Sequence, residues 1–171
     1  HQISIKPYSC CRLFHSTIDA LETVTEGFST NIADIDKIVV RGPHAHADQH
    51  MIRRPTSVMA AQYSLPYIVG ATLVAGPQAY DAYGEAHHND NKILQLADKV
   101  ETQHDADIEA KFPKHMGSGV DVMMTDGSVR SQTLLDSIGT PGRPMDKQQV
   151  MDKGLGLTAA AAPKFNVEHA M

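Results

Sequence analysis

The stretch VDVMMTDGSVRSQTLL, residues 120–135, predicts a β-hairpin. Two extended runs flank Thr125-Asp126-Gly127-Ser128, and the Asp-Gly pair supplies the positive backbone angles of a tight turn. Upstream, residues 35–40 are rich in β-branched side chains and end at Arg41-Gly42-Pro43, which predicts a strand followed by a loop. Residues 99–103 are a further strand candidate. We therefore expect a mostly antiparallel sheet of three or four strands.

Two longer segments have helical patterns. Between Cys11 and Gly27 the apolar residues recur at three- and four-residue steps. Pro55-Thr56-Ser57 opens a second predicted helix, in which the apolar residues from Val58 to Ala75 cover nearly every face. This is typical of a helix packed on several sides, and Pro66 inside it predicts a kink. The order of strands and helices predicts an α+β fold whose sheet is covered by these two long helices.

The length of 171 residues is that of one domain. Shorter helices are predicted at residues 91–97 and 145–153. We expect the domain to occupy residues 1–153, and residues 154–171, which have no amphipathic pattern, to form a poorly structured tail.

Composition argues against several classes of partner. The net charge is −5 and the basic residues are scattered, so neither nucleic acid nor an anionic membrane surface is an expected partner. The longest apolar stretch, residues 65–76, is interrupted by Pro66 and is shorter than the ~20 residues of a membrane span. The start of the chain does not resemble a secretory signal. The only cysteines are the vicinal Cys10 and Cys11, which favours a reducing cytoplasm or mitochondrial matrix.

The first group of candidate functional residues lies near the start of the chain. Pro7 restricts the backbone of Lys6, so the lysine is presented from a defined geometry and can fix a carboxylate. His15 precedes Asp19 by one helical turn, which would let the carboxylate orient the imidazole. The structural alternative is a solvated lysine and a surface or capping histidine.

The second group lies at the predicted kink. Tyr67, beside Ser64 and Pro66, can donate or accept a proton in a dry pocket; alternatively it closes the core. His44, His46 and His50 are possible metal ligands, but we interpret this stretch as a mobile loop and expect no metal there. Two cysteines alone cannot hold an iron–sulfur cluster, so any dehydratase chemistry is expected to be metal-free.

Taken together, these segments resemble the MmgE/PrpD family of lyases and isomerases, which includes 2-methylcitrate dehydratase, cis-aconitate decarboxylase and iminodisuccinate epimerase. The resemblance spans about residues 3–153. It is carried by IKPYSCC at residues 5–11 with His15 following, by AQYSLPY at residues 61–67, and by Thr125-Asp126-Gly127 with Gly139-Thr140-Pro141. The spacing of nine residues from Lys6 to His15 resembles the corresponding spacing in the decarboxylase and epimerase branches more than the shorter one in the methylcitrate dehydratases.

This resemblance implies the α/β lid domain of a homodimeric enzyme that needs no cofactor or metal. It further implies that Lys6 and Tyr67 are catalytic and that His15 is supporting, and we add Ser64 as a substrate-binding or supporting candidate. The substrate would be a small di- or tricarboxylate that undergoes dehydration, decarboxylation or epimerisation. The site would be completed by an N-terminal helical domain from the same or a separate chain, so the isolated chain is expected to be inactive. The alternative is a non-catalytic binding or regulatory module that retains the lid fold.

Overall fold

The predicted strands form one sheet. The structure is a computed structural model that describes residues 3–161. Its strands are β1 (Ile35–Gly42), β2 (Val100–His104), β3 (Ser118–Met124) and β4 (Val129–Leu134), in the spatial order β2-β1-β3-β4. The hairpin of β3 and β4 is confirmed, with Gly127 at φ +87° in the turn.

The sheet is mixed. β1 pairs antiparallel with β3, and β3 with β4, but β1 and β2 run parallel. The α+β class is confirmed, whereas the edge strand β2 departs from the antiparallel pattern. The chain between β1 and β2 is long enough to contain helices, which permits the crossover that parallel neighbours require.

Helices provide the rest of the regular structure. α1 packs against β3 and β4, and α4 contacts α1, α5 and β2. The helices of the described range are α1 (His15–Val24), α2 (His44–Gln49), α3 (Val58–Gln62), α4 (Leu65–Ala75), α5 (Asn91–Asp98), α6 (Ala106–Glu109) and α7 (Lys147–Ala161).

The second long helix is divided in two rather than kinked. α3 ends at Gln62, and α4 starts after Ser64, whose hydroxyl accepts a hydrogen bond from Tyr67 N at 3.2 Å. This is an N-cap, so Pro66 lies in the first turn of α4, where its missing N–H costs nothing. The prediction of one kinked helix was therefore wrong. The helical segment is interrupted before Pro66, but this is because Ser64 caps a new helix.

Two other segments are more regular than we expected. The histidine-rich stretch contains α2 instead of a continuous loop. The last helix does not end at Lys153 but continues to Ala161, into the segment expected to be an unstructured tail. The remainder of that tail, residues 162–171, lies outside the described residues.

The core lies between the sheet and the two long helical segments. Residues 65–73 of α4 are all buried, as their all-round apolar pattern predicted. Within residues 3–161 we find no helix whose length and apolarity would allow it to cross a membrane. The core joins Phe14, Ile18, Leu21, Ile38, Val40, Leu65, Ile68, Val69, Val120 and Val122.

Candidate active site

The Lys6 segment is irregular but fixed at both ends. Ile5 N donates to the Gly139 carbonyl oxygen at 2.9 Å, and Cys11 N donates to the Gln62 carbonyl oxygen at 2.8 Å. Between these bonds Pro7 is buried while Lys6 is exposed. The lysine is thus presented from a defined backbone, as Lys6-Pro7 predicted.

Gly139 allows this close approach of two backbone segments. It has φ +83°, and a Cβ atom at this position would lie 2.0 Å from the Ile5 carbonyl oxygen. Any other residue would push the Lys6 segment away from the Gly139-Thr140-Pro141 loop. The glycine of this motif therefore has a packing role next to Lys6.

The buried carboxylate of Asp19 anchors the same segment through Tyr8. Asp19 accepts hydrogen bonds from the Tyr8 hydroxyl at 2.5 Å, from Ile138 N at 2.7 Å and from Arg143 Nη1 at 2.9 Å. Burial, together with the Asp19 charge, raises the pKa of Tyr8 far above its usual value, so Tyr8 stays a neutral donor. The expectation that Asp19 orients His15 was wrong, because both carboxylate oxygens are bonded to Tyr8, Ile138 and Arg143.

Lys6 opens onto a cavity of about 710 Å³, which we call the basic cavity. Arg12, Lys114 and His115 also line it, and its one acidic side chain, Asp136, is 2.9 Å from His115 Nδ1. Cationic groups therefore outnumber carboxylates around this space. The remaining lining residues are Ser4, Pro113, Met116, Ser137, Thr140, Pro141 and Gly142.

Lys6 also borders a second cavity, of about 400 Å³. Lys153 of α7 lines it too, and its Nζ donates to the Lys6 carbonyl oxygen. Met59, Tyr63 and Leu157 contribute exposed apolar surface to this cavity. Lys6 thus stands between a basic space and a partly apolar one.

His15 is buried in the core, next to the segment that carries Lys6. Its side chain is fully buried, Nε2 is 3.3 Å from the Cys10 carbonyl oxygen, and Nδ1 has no partner within the described range. Burial lowers the pKa of His15 to about 3, so the imidazole is neutral at physiological pH. It packs edge-on against the Tyr8 ring and does not line either cavity.

Tyr67 lies in the interior, apart from Lys6. It is fully buried in α4, its hydroxyl donates to the Ala82 carbonyl oxygen at 3.0 Å, and it lines neither cavity. Burial, followed by the Asp90 charge, raises its pKa to about 12. Ser64 is equally buried and donates to the Ile52 carbonyl oxygen in addition to capping α4. The structure therefore does not bring Tyr67 and Ser64 into one open space with Lys6.

The vicinal cysteines are free thiols. Burial raises the pKa of Cys10 to about 12, which keeps it protonated and unreactive. Cys10 is thus a packing residue of the Lys6 segment.

Sequence reasoning missed four residues that share a cavity with Lys6: Arg12, Lys114, His115 and Tyr63. Arg12 and Tyr63 fall inside or beside the quoted motifs, so proximity to them was an available signal. Lys114 and His115 come from a distant segment whose approach to Lys6 depends on the tertiary fold.

The fold and this site define a small α+β domain with a lysine-bearing basic cavity at its surface. A family model described as the MmgE/PrpD C-terminal domain matches residues 8–170, so the chain belongs to the MmgE/PrpD family. It is 24% identical over 176 aligned residues to a cis-aconitate decarboxylase of Aspergillus terreus (strain NIH 2624 / FGSC A1156), an alignment that covers 97% of this chain and 36% of that protein. A second cis-aconitate decarboxylase, of Aspergillus terreus, is 23% identical with the same coverage. The chain thus spans about a third of the length of these curated relatives.

Proposed function

We propose that the chain is the lid domain of a lyase or isomerase acting on small di- or tricarboxylates. The reaction would be dehydration, decarboxylation or epimerisation next to a carboxylate, without a metal or cofactor. The observation that carries the proposal is the presence of Lys6, Arg12 and Lys114 around one cavity. Membership of the MmgE/PrpD family supports the same class of chemistry.

The charge of this cavity is opposite to that of the chain. The chain as a whole carries a net charge of −5, yet two lysines, one arginine and His115 line the cavity against the single Asp136. Gathering like charges has an electrostatic cost, which a ligand with several carboxylates offsets. A monocarboxylate would neutralise less of this charge and should bind more weakly.

Lys6 has a direct chemical role in the proposal. When a proton or carbon dioxide leaves the carbon next to a carboxylate, negative charge builds up there, and a fixed ammonium lowers the cost of that charge. Arg12, with its planar guanidinium, suits the holding of a second carboxylate. Tyr67 is the candidate proton donor that the family resemblance implies. Burial raises its pKa to about 12, so the phenol is protonated, and in this role its hydroxyl would have to exchange the Ala82 carbonyl oxygen for the substrate.

The site is proposed to be completed by an N-terminal helical domain, in the same or a separate chain, within a homodimer. Apolar side chains next to Lys6 support this part of the proposal. Met59 is 67% exposed, Tyr63 47% and Leu157 41%, and all three border the second cavity. Uncovered apolar surface beside a functional residue favours a contact with another domain.

A non-catalytic binding or regulatory module is the second candidate. It is favoured by the position of Tyr67, whose hydroxyl is bonded to the Ala82 carbonyl oxygen inside the core rather than directed at a cavity. Such a module would bind a polycarboxylate at Lys6 without converting it.

The experiment supplies the chain with its helical domain, either as one polypeptide or as two, and follows a panel of di- and tricarboxylates by proton NMR. We expect conversion of at least one polycarboxylate, and none by the isolated chain or with monocarboxylates. Binding without conversion in the complete assembly would favour the regulatory module. Conversion that needs an added metal ion would overturn the metal-free part.

A further inference from the structure

Three metal-ligand side chains converge at an edge of the domain outside both Lys6 cavities. They are His44, the first residue of α2, His104, the last residue of β2, and Glu109, the last residue of α6. One donor atom from each lies within 4.8 Å of the others. We propose that His44, His104 and Glu109 form a binding site for a divalent transition-metal ion, with Zn²⁺ as the natural occupant.

Strand pairing and backbone hydrogen bonds hold these residues close together. Gly42 of β1 pairs with His104 of β2 in the parallel register, which sets His44 just beyond the end of its strand beside His104. Asp105 N donates to the Gly42 carbonyl oxygen at 2.9 Å, and His44 N donates to Glu109 Oε2 at 2.8 Å. The three backbone segments are thus tied to one another, so binding an ion has to order only the side chains, which reduces its entropic cost.

The donor atoms are close enough to share a zinc ion once the imidazoles rotate out of their stacked arrangement. The rings of His44 and His104 are stacked, with centroids 4.0 Å apart and planes 11° apart, and His104 Nε2 is 3.7 Å from Glu109 Oε2. Ligand atoms bound at about 2.0–2.1 Å in a tetrahedral zinc site lie about 3.3 Å from one another. All three residues are at least partly exposed, so their side chains have room to adjust.

The donor types also fit. Two imidazoles and one carboxylate leave one position of a tetrahedral ion for water or another ligand, and imidazole suits zinc better than magnesium or calcium. The nearby Arg41 does not oppose a cation with an unbalanced charge. Its guanidinium binds Asp105 and Asp121, each at 2.9 Å.

The other histidines of the segment are differently placed. His46 is buried against Phe14, with both ring nitrogens unpartnered among the described residues, and His50 contacts the Tyr63 carbonyl oxygen at 3.0 Å. Neither shares the convergent donor set. The metal site therefore differs from the run of three histidines that the sequence offered, since two of its ligands come from β2 and α6.

The test measures Zn²⁺ binding to the untagged, metal-stripped 171-residue chain by competition with a chromophoric chelator. We expect one tight equivalent per chain, with His104→Ala and Glu109→Gln each weakening binding by more than about tenfold, the lower limit for even a supporting residue. Co²⁺ should give the visible absorption of a tetrahedral complex. Zn²⁺ should also raise the melting temperature of the parent chain but not of His104→Ala.

The matched control is His115→Ala. His115 is also a histidine beside a carboxylate, at 2.9 Å from Asp136, but it is not a member of the convergent cluster of two imidazoles and one carboxylate. We expect its binding of Zn²⁺ to equal that of the parent chain. The proposal would be overturned by absence of stoichiometric binding, by unchanged binding in His104→Ala, or by loss of binding in His46→Ala with the cluster variants unaffected.

Discussion

Lys6 and Tyr67, the two residues proposed to act in one reaction, have opposite environments. Lys6 is exposed on an irregular segment between two cavities, in the company of Arg12 and Lys114. Tyr67 is fully buried in α4, and its hydroxyl bonds a backbone carbonyl oxygen. Two residues that belong to the same family motifs therefore need not line the same cavity. The domain exposes the Lys6 ammonium, whereas the Tyr67 phenol stays in the core.

The largest expected effect is on the exposed side of this comparison. In the complete enzyme, Lys6→Ala should lower turnover by about 10²–10³-fold, because it removes a fixed charge from the developing anion. Steady-state kinetics with the converted polycarboxylate measures this. Lys92→Ala is the control, since Lys92 is an exposed lysine that lines neither Lys6 cavity, and its kinetics should equal those of the parent. Full activity in Lys6→Ala would remove the lysine from the mechanism.

The next prediction compares the turnover of two variants that each lose one phenol hydroxyl, Tyr67→Phe and Tyr63→Phe. Tyr67→Phe should lower turnover by about 10²-fold if Tyr67 donates a proton, whereas Tyr63→Phe should change it little. Tyr63 is the matched control because it already borders the second cavity with Lys6. The reverse result would transfer the phenol role to Tyr63. Tyr67→Phe should in addition cost about 1 kcal/mol of stability, since the Ala82 carbonyl oxygen loses its donor.

Local features of the fold and site were predictable from the sequence, whereas features that depend on tertiary packing were not. The hairpin was predictable because Asp126-Gly127 encodes its turn locally. The burial of α4 was predictable because its apolar residues cover every face, but its separation from α3 was not. Lys6 was predictable as a fixed cation because Pro7 constrains it locally. The basic cavity was not, since Lys114 and His115 reach Lys6 only through tertiary packing. The parallel pairing of β1 and β2 likewise depends on a long crossover that has no local signal.

A smaller effect concerns the support beneath Lys6. Asp19→Ala should destabilise the domain by about 2–4 kcal/mol, because Tyr8 and Ile138 N lose a buried charged acceptor. Urea unfolding followed by circular dichroism measures the change. Glu22→Ala, an exposed carboxylate on the same helix, serves as the control and should alter stability by less than about 0.5 kcal/mol. Equal effects of the two substitutions would contradict a supporting role for Asp19.

A last prediction is a pH dependence of stability from His15. Its pKa is about 3 in the folded chain and about 6.5 when unfolded, so the unfolded state binds the proton first as pH falls. The contribution is complete above pH ~6.5 and is lost between ~6.5 and ~3, by up to about 1.4 kcal/mol per pH unit. Unfolding free energies measured from pH 7 to pH 5 should fall less steeply in His15→Gln. Parallel curves for the two proteins would contradict the buried neutral imidazole.

The most direct test of the account is calorimetric titration of the 171-residue chain with tricarballylate, an unreactive tricarboxylate, with acetate for comparison. We expect tricarballylate to bind the parent chain and Lys92→Ala, and to bind Lys6→Ala more weakly, whereas acetate should bind little. Equal affinity of the parent and Lys6→Ala for tricarballylate, or no binding by either, would contradict the central claim that the cavity beside Lys6 receives polycarboxylates.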